Sequence, residues 1–118
     1  AALKLQPAHS GIHLGLGEVL VLQGRYREAI EHFAAALKSN PNFAQAHDHL
    51  GRVLAAQGDL GGAVEHFREA LRLEPDSAKA NENLARALAE QGKHDEAELH
   101  HQQAMRLNGA RRESGSFR

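Results

Sequence analysis

At 118 residues, the chain is long enough for one domain with a continuous core but too short for a catalytic domain and a second, regulatory one. Its 14 Lys and Arg residues balance 15 Asp and Glu residues, so no global positive field is present to hold nucleic acid or an anionic membrane surface. The absence of cysteine excludes thiol catalysis, disulfides and thiolate zinc sites. Ala, Leu, Glu, Gln and Arg recur throughout and predict an all-α protein.

A repeat of 34 residues organises the chain. It sets the spacing of all three prolines (Pro7, Pro41, Pro75), of three glycines (Gly24, Gly58, Gly92) and of three alanines (Ala29, Ala63, Ala97). Two runs of apolar residues at helical spacing flank each of these glycines, and a proline follows the second run. Each repeat is therefore predicted to be a pair of antiparallel helices, and neighbouring pairs must stack because one pair cannot bury both of its faces.

In chain order, residues 1–6 match the end of a repeat and Pro7 closes it, so residues 1–9 are predicted to be the stub of a preceding repeat. Three repeats follow at residues 10–43, 44–77 and 78–111. In the third repeat, Glu98 and His101 replace the apolar Val64 and Phe67 of the second. This predicts a capping helix whose outer face is polar and exposed to solvent. Residues 112–118 lack periodicity and are predicted to be a flexible tail.

Small and aromatic residues recur at matched positions of the repeats. Gly17, Gly51 and Ala85 are expected where the two helices of a repeat cross closely, with Ala29, Ala63 and Ala97 as their counterparts. Phe33 and Phe67 are expected in the core. The first helix is rich in apolar side chains, and without a preceding repeat it would expose an apolar surface that favours association.

The first repeat reads His13-x-x-Leu16-Gly17-x-x-Leu20, then Ala29-x-x-x-Phe33 and Pro41, and the second repeats this pattern. In this the sequence resembles the tetratricopeptide repeat family over roughly residues 10–111. It departs from the family at two positions of the repeat that are aromatic in the family. One of them holds His13, His47 and Asn81, and the other holds Leu20, Leu54 and Leu88. The RNA-reading pentatricopeptide family has a period one residue longer and is disfavoured.

The resemblance implies a right-handed α-solenoid whose first helices line a concave groove. Carried over by position, it implies that a partner would contact Leu14, Glu18, Val21, Leu22, Gln45, Asp48, His49, Arg52, Ala56, Lys79, Glu82, Asn83, Arg86 and Glu90. The first repeat then offers an apolar surface, and the other two offer a mixed charged one with Arg52, Arg86 and Lys79 as carboxylate anchors. Of the residues with which chaperone-binding members clamp a C-terminal carboxylate, only Lys79 matches, so chaperone tails are not the expected ligand.

Other patterns have simpler explanations than a catalytic or metal site. The nine histidines include a column at His32, His66 and His100, which is expected to pack beside the core rather than to hold a metal, and the same holds for His9 and His13. The glycines at residues 15 and 17 lack the strand and Lys-Ser/Thr of a phosphate loop. No catalytic residue, metal or cofactor is predicted.

The predicted function is a non-catalytic protein–protein interaction module that binds a peptide or helix of a partner in the groove, with no nucleic acid or membrane as partner. Two alternatives stay open: a self-association or scaffold module acting through the first-repeat face, and an accessory domain of a larger enzyme. The sequence leaves the compartment open, with the cytoplasm favoured over the periplasm, and does not identify the partner, the oligomeric state or the number of repeats in the full-length protein.

Overall fold

The computed structural model describes the backbone of residues 7–116 and the side chains of residues 9–110. Over this span the chain forms six α-helices and no strand: α1 (Pro7–Leu22), α2 (Tyr26–Ser39), α3 (Ala44–Ala56), α4 (Leu60–Leu73), α5 (Ala78–Glu90) and α6 (His94–Ser116). The predicted all-α fold of three helix pairs is confirmed. Residues 1–6 of the predicted stub lie outside the described residues.

Glycine ends the first helix of every pair. Gly24, Gly58 and Gly92 have φ angles of +77°, +90° and +86°, a region that side chains rarely adopt. After α1, the amide of Gly24 donates to the carbonyl of Val21 at 2.9 Å, and the amide of Arg25 donates to that of Leu20 at 2.9 Å. These bonds satisfy carbonyls that the helix end would leave unpaired, which fixes the turn into the second helix.

The prolines do not all act alike. Residues 41–43 and 75–77 are turns between pairs, as the sequence predicts, and Ser77 caps α5 by accepting from the amide of Ala80 at 3.0 Å. Pro7, in contrast, is the first residue of α1, so residues 7–9 belong to the first helix instead of closing a stub. Proline suits this position because its φ is already helical and the amide it lacks would have no helical acceptor.

The last helix runs further than the sequence suggests. Helix α6 continues to Ser116, through residues 112–116, which belong to the segment that the sequence predicts to be a flexible tail. Nothing at this end of α6 stops a helix, because it holds no proline and Gly109 and Gly115 each cost only about 1 kcal/mol relative to alanine. Phe117 and Arg118 lie outside the described residues.

The core consists of two clusters along the stack. One is built around Phe33 (0% exposed) and the other around Phe67 (2% exposed), and Leu54 packs against both. The ring of Phe67 lies directly over Gly51, where an added Cβ would come within 2.6 Å of Cε1. The phenylalanine of the same repeat thus requires a glycine at this position. In the first repeat, the ring of Phe33 likewise leaves no room for a Cβ at Gly17.

The first helices of the pairs lie on one side of the stack. Each helix packs mainly on its neighbours in the chain, but α1 also contacts α3, and α3 contacts α5. These contacts place α1, α3 and α5 side by side and form the floor of a groove.

Candidate functional site

Three cavities open along the groove formed by α1, α3 and α5. The largest, of about 380 Å³, lies between α1 and α3. Two smaller ones, of about 200 Å³ and 250 Å³, lie between α3 and α5. Arg52 lines all three, so the cavities are joined at its side chain.

The largest cavity is mostly apolar. Val21, Leu22, Val53 and Ala56 line it together with Tyr26, the first residue of α2. Leu22 is 87% exposed, so its side chain is available at the rim. A pocket of this composition gains free energy when it receives an apolar side chain, at about 25 cal/mol per Å² removed from water.

A chain of polar contacts crosses the groove floor from α1 to α5. Glu18 on α1 lies 2.8 Å from Nε2 of His49 on α3, and Nη2 of Arg52 donates to Nδ1 of His49 at 2.6 Å. Nε of Arg52 is 3.3 Å from Asp48, whose Oδ1 accepts from Nδ2 of Asn83 on α5 at 2.7 Å. Each repeat is thereby linked to the next through polar side chains that face the groove.

This geometry assigns the protonation of His49. An arginine can only donate, so Nδ1 of His49 must carry a lone pair, and a carboxylate can only accept, so Nε2 must carry the hydrogen. The ring is therefore neutral. Burial lowers the pKa of His49 below its ordinary value of 6.5, and the positive charge of Arg52 lowers it further.

The structure brings most of the predicted groove residues together. Twelve of the fourteen line one of the three cavities; those in the largest are Glu18, Val21, Leu22, His49, Arg52 and Ala56, and those added by the other two are Gln45, Asp48, Lys79, Asn83, Arg86 and Glu90. Sequence comparison of the first helices alone missed Tyr26 and Phe67, which line the cavities from second helices.

Two predicted residues lie elsewhere. Leu14 is 9% exposed and belongs to the core cluster around Phe33, because an apolar side chain gains more from the core than from an open groove. Glu82 has its Oε2 atom 3.2 Å from Nδ1 of His101 on α6. That polar partner is present only because His101 stands where the first two repeats have phenylalanine.

The histidine column forms pairs within repeats, which the sequence did not predict. Nδ1 of His32 is 3.0 Å from Nδ1 of His13, and Nδ1 of His66 is 3.0 Å from Nδ1 of His47. In the third repeat, Nδ1 of His100 is 3.0 Å from Oδ1 of Asn81. Oδ1 of Asn81 can only accept, so Nδ1 of His100 donates. Asn81 stands at the position that His13 and His47 occupy in the first two repeats.

The second pair shows how the protons are arranged. Nε2 of His47 is 3.0 Å from the carbonyl of Pro41, which can only accept, so His47 carries its hydrogen there. A neutral His47 must then accept at Nδ1 from His66. Burial and the proximity of His47 lower the pKa of His66. The histidines thus join the two helices of a repeat; within the described residues no group of three or more His, Asp or Glu has metal-site geometry.

A second apolar surface lies on the outer face of α1, away from the groove cavities. Ile12 is 58% exposed, Leu16 is 45% exposed and Val19 is 51% exposed. Their counterparts one repeat later are Ala46, Leu50 and Val53, which are at most 5% exposed in the core cluster that includes Phe33 and Ala36 of α2. These positions are thus covered in a repeat that has a predecessor.

Among the helices in the described range, none is long and apolar enough to cross a membrane.

The model of the tetratricopeptide repeat family matches three overlapping stretches, residues 1–42, 14–77 and 49–109. No curated protein matches the chain. Among solved structures, a crystal structure of MamA is 21% identical with a TM-score of 0.86, over 92% of this chain and 64% of that one. A MamA RS-1 ArsTM double mutant is 26% identical with a TM-score of 0.83, over 92% of this chain and 61% of that one.

A third solved structure matches over nearly its whole length. The second TPR of Spaghetti (RPAP3), bound to the HSP90 peptide SRMEEVD, is 17% identical with a TM-score of 0.86, over 91% of this chain and 99% of that one. At 17–21% identity these likenesses show the fold alone. The chain spans less than two thirds of the length of the two MamA chains described above.

Proposed function

The chain belongs to the tetratricopeptide repeat family, and on that premise we propose that its groove binds a peptide or helix of a partner protein. Domains of this family are generally non-catalytic interaction modules. The observation that carries the proposal is the row of three cavities joined at Arg52, since it offers an extended segment several adjacent contact points.

The charges in the groove indicate the chemistry of the segment. Glu18 and Asp48 are already engaged by His49 and Arg52. Lys79 and Arg86, which line the two smaller cavities, have no carboxylate within 4.0 Å among the described residues. The segment that fits places an apolar side chain in the largest cavity and acidic groups against Lys79 and Arg86.

A test of this proposal uses the chain as bait in a pull-down, with Leu22→Glu and Arg86→Glu as variants. Both residues are exposed, so the folded state should survive either change. Leu99→Glu on α6 is the matched control, because Leu99 is 67% exposed but lies outside the groove. We expect both groove variants to lose captured protein and the control to retain it.

The proposal is wrong if the groove variants capture the same partners in the same amount as the unchanged chain. An equal loss from Leu99→Glu would also count against it, because the effect would then not belong to the groove. Circular dichroism of each variant establishes that the helical fold is intact. Leu14→Glu is unsuitable for this purpose, since Leu14 lies in the core.

The outer face of α1 supports a second candidate function, self-association. Ile12, Leu16 and Val19 form an exposed apolar stripe at helical spacing, and pairing two copies along it would remove the stripe from water. Sedimentation velocity tests this directly: the unchanged chain should sediment as a dimer and Leu16→Glu as a monomer. A monomeric unchanged chain would contradict the candidate without touching the groove proposal.

A further inference from the structure

His49 occupies the centre of the groove with both ring nitrogens committed. Its Nδ1 accepts from Arg52 at 2.6 Å and its Nε2 faces Glu18 at 2.8 Å, while its ring stacks on Phe33 with centroids 5.5 Å apart. A protonated imidazole has a hydrogen on both nitrogens and cannot accept from anything. The contact with Arg52 therefore exists only while His49 is neutral.

The charged groups around His49 come from three helices. Glu18 faces it from α1, Asp48 and Arg52 from its own helix α3, and Lys79 from α5. Phe33, from α2, contributes no charge. Two anions and two cations surround the ring. The nearest of them is Arg52, which contacts Nδ1, so protonation of the ring acts most directly on this contact.

We propose that protonation of His49 releases the guanidinium of Arg52 into the groove and so raises the affinity of the groove for anionic groups. Protonation adds one positive charge to the floor and turns Nδ1 into a donor that faces the donors of Arg52. Arg52 then keeps only Asp48, and the hydrogen atoms of Nη2 become available to a ligand in any of the three cavities it lines. This is a regulation of the groove, and its biological use rests on the binding function proposed above.

The third repeat supplies an internal control. One repeat on, the counterpart of Arg52 is Arg86 and the counterpart of His49 is Asn83, which has no proton to gain. Arg86 lies in the same groove and is exposed like Arg52. The replacement His49→Asn therefore gives the second repeat the arrangement that the chain already tolerates in the third.

The experiment is an NMR titration of the whole chain from about pH 8 to about pH 5.5, the range in which histidine changes charge. It follows the Cε1–H signal of His49 and the Nε–H signals of Arg52 and Arg86, over the range in which the amide spectrum stays folded. We expect the Arg52 signal to move with the same midpoint as His49, and the Arg86 signal to show no transition at that midpoint. In His49→Asn, the transition of Arg52 should be absent.

Sulfate, which keeps its charge over this range, serves as the anionic probe. Its affinity for the groove, read from the Arg52 signal, should rise about fivefold or more on acidification, the size expected for one added charge about 4 Å away in a water-exposed site. His49→Asn should show no such rise. A static Arg52 signal through the His49 transition, or a sulfate affinity that does not rise, overturns the inference. Neither readout needs a partner protein, so a failed pull-down would not be mistaken for this failure.

Discussion

Replacing Gly51 with alanine should destabilise the fold, although alanine favours helices. An added Cβ would lie 2.6 Å from Cε1 and 2.8 Å from Cδ1 of Phe67, and the ring is 2% exposed and cannot move aside. Overpacking of this kind costs about 1–3 kcal/mol. Alanine returns about 0.5–1 kcal/mol of helix propensity, which leaves a net loss of up to about 2.5 kcal/mol.

Gly15→Ala is the matched control. Gly15 also lies in the first helix of a pair, but nothing lies within 4 Å of its added Cβ. That variant should gain about 0.5–1 kcal/mol, because only the propensity term remains. The two replacements are chemically identical and are expected to have opposite signs.

Urea denaturation followed by circular dichroism measures both variants, with the midpoint as the readout and the slope as a check that the unfolded state is unchanged. The double variant Gly51→Ala with Phe67→Leu should lose less than the sum of the two single losses, because the ring that clashes is gone. If Gly51→Ala is as stabilising as Gly15→Ala, the account of Gly51 as the space for Phe67 is refuted.

Two further predictions concern the core and the histidines. Phe67→Ala should cost about 3–5 kcal/mol of the roughly 5–15 kcal/mol that such a domain has, and a loss below about 1 kcal/mol in urea denaturation would contradict its role in the core. Stability should also fall on acidification. Burial holds the pKa values of His49, His66 and His100 in the folded chain below 6.5, so the unfolded chain takes up protons first as the pH falls. The stabilisation is complete above pH 6.5 and is lost as the pH falls through the pKa values of the folded chain. Urea midpoints at about pH 7.5 and about pH 5.5 check the sign, and the double variant His49→Asn with His66→Gln should show a smaller difference between the two.

The sequence predicted the groove less completely than the fold. The resemblance to the tetratricopeptide repeat family, carried over by position, identified twelve residues that line the cavities, because residues one repeat apart occupy equivalent places in a regular stack. It failed for Leu14 and Glu82, since equivalent places hold different side chains and each side chain finds a different partner. Leu14 packs into the core, and Glu82 contacts His101.

The 34-residue period by itself determined the number of helices, the position of each turn and the identity of the core phenylalanines, because each of these follows from local chemistry repeated along the chain. Only the tertiary structure decided which residues act together across helices. The pairing of His47 with His66, 19 residues apart, and the link from Asp48 to Asn83, 35 residues apart, join side chains that no local pattern connects. Such contacts depend on the distance between packed helices and on which nitrogen carries a proton, and a sequence states neither.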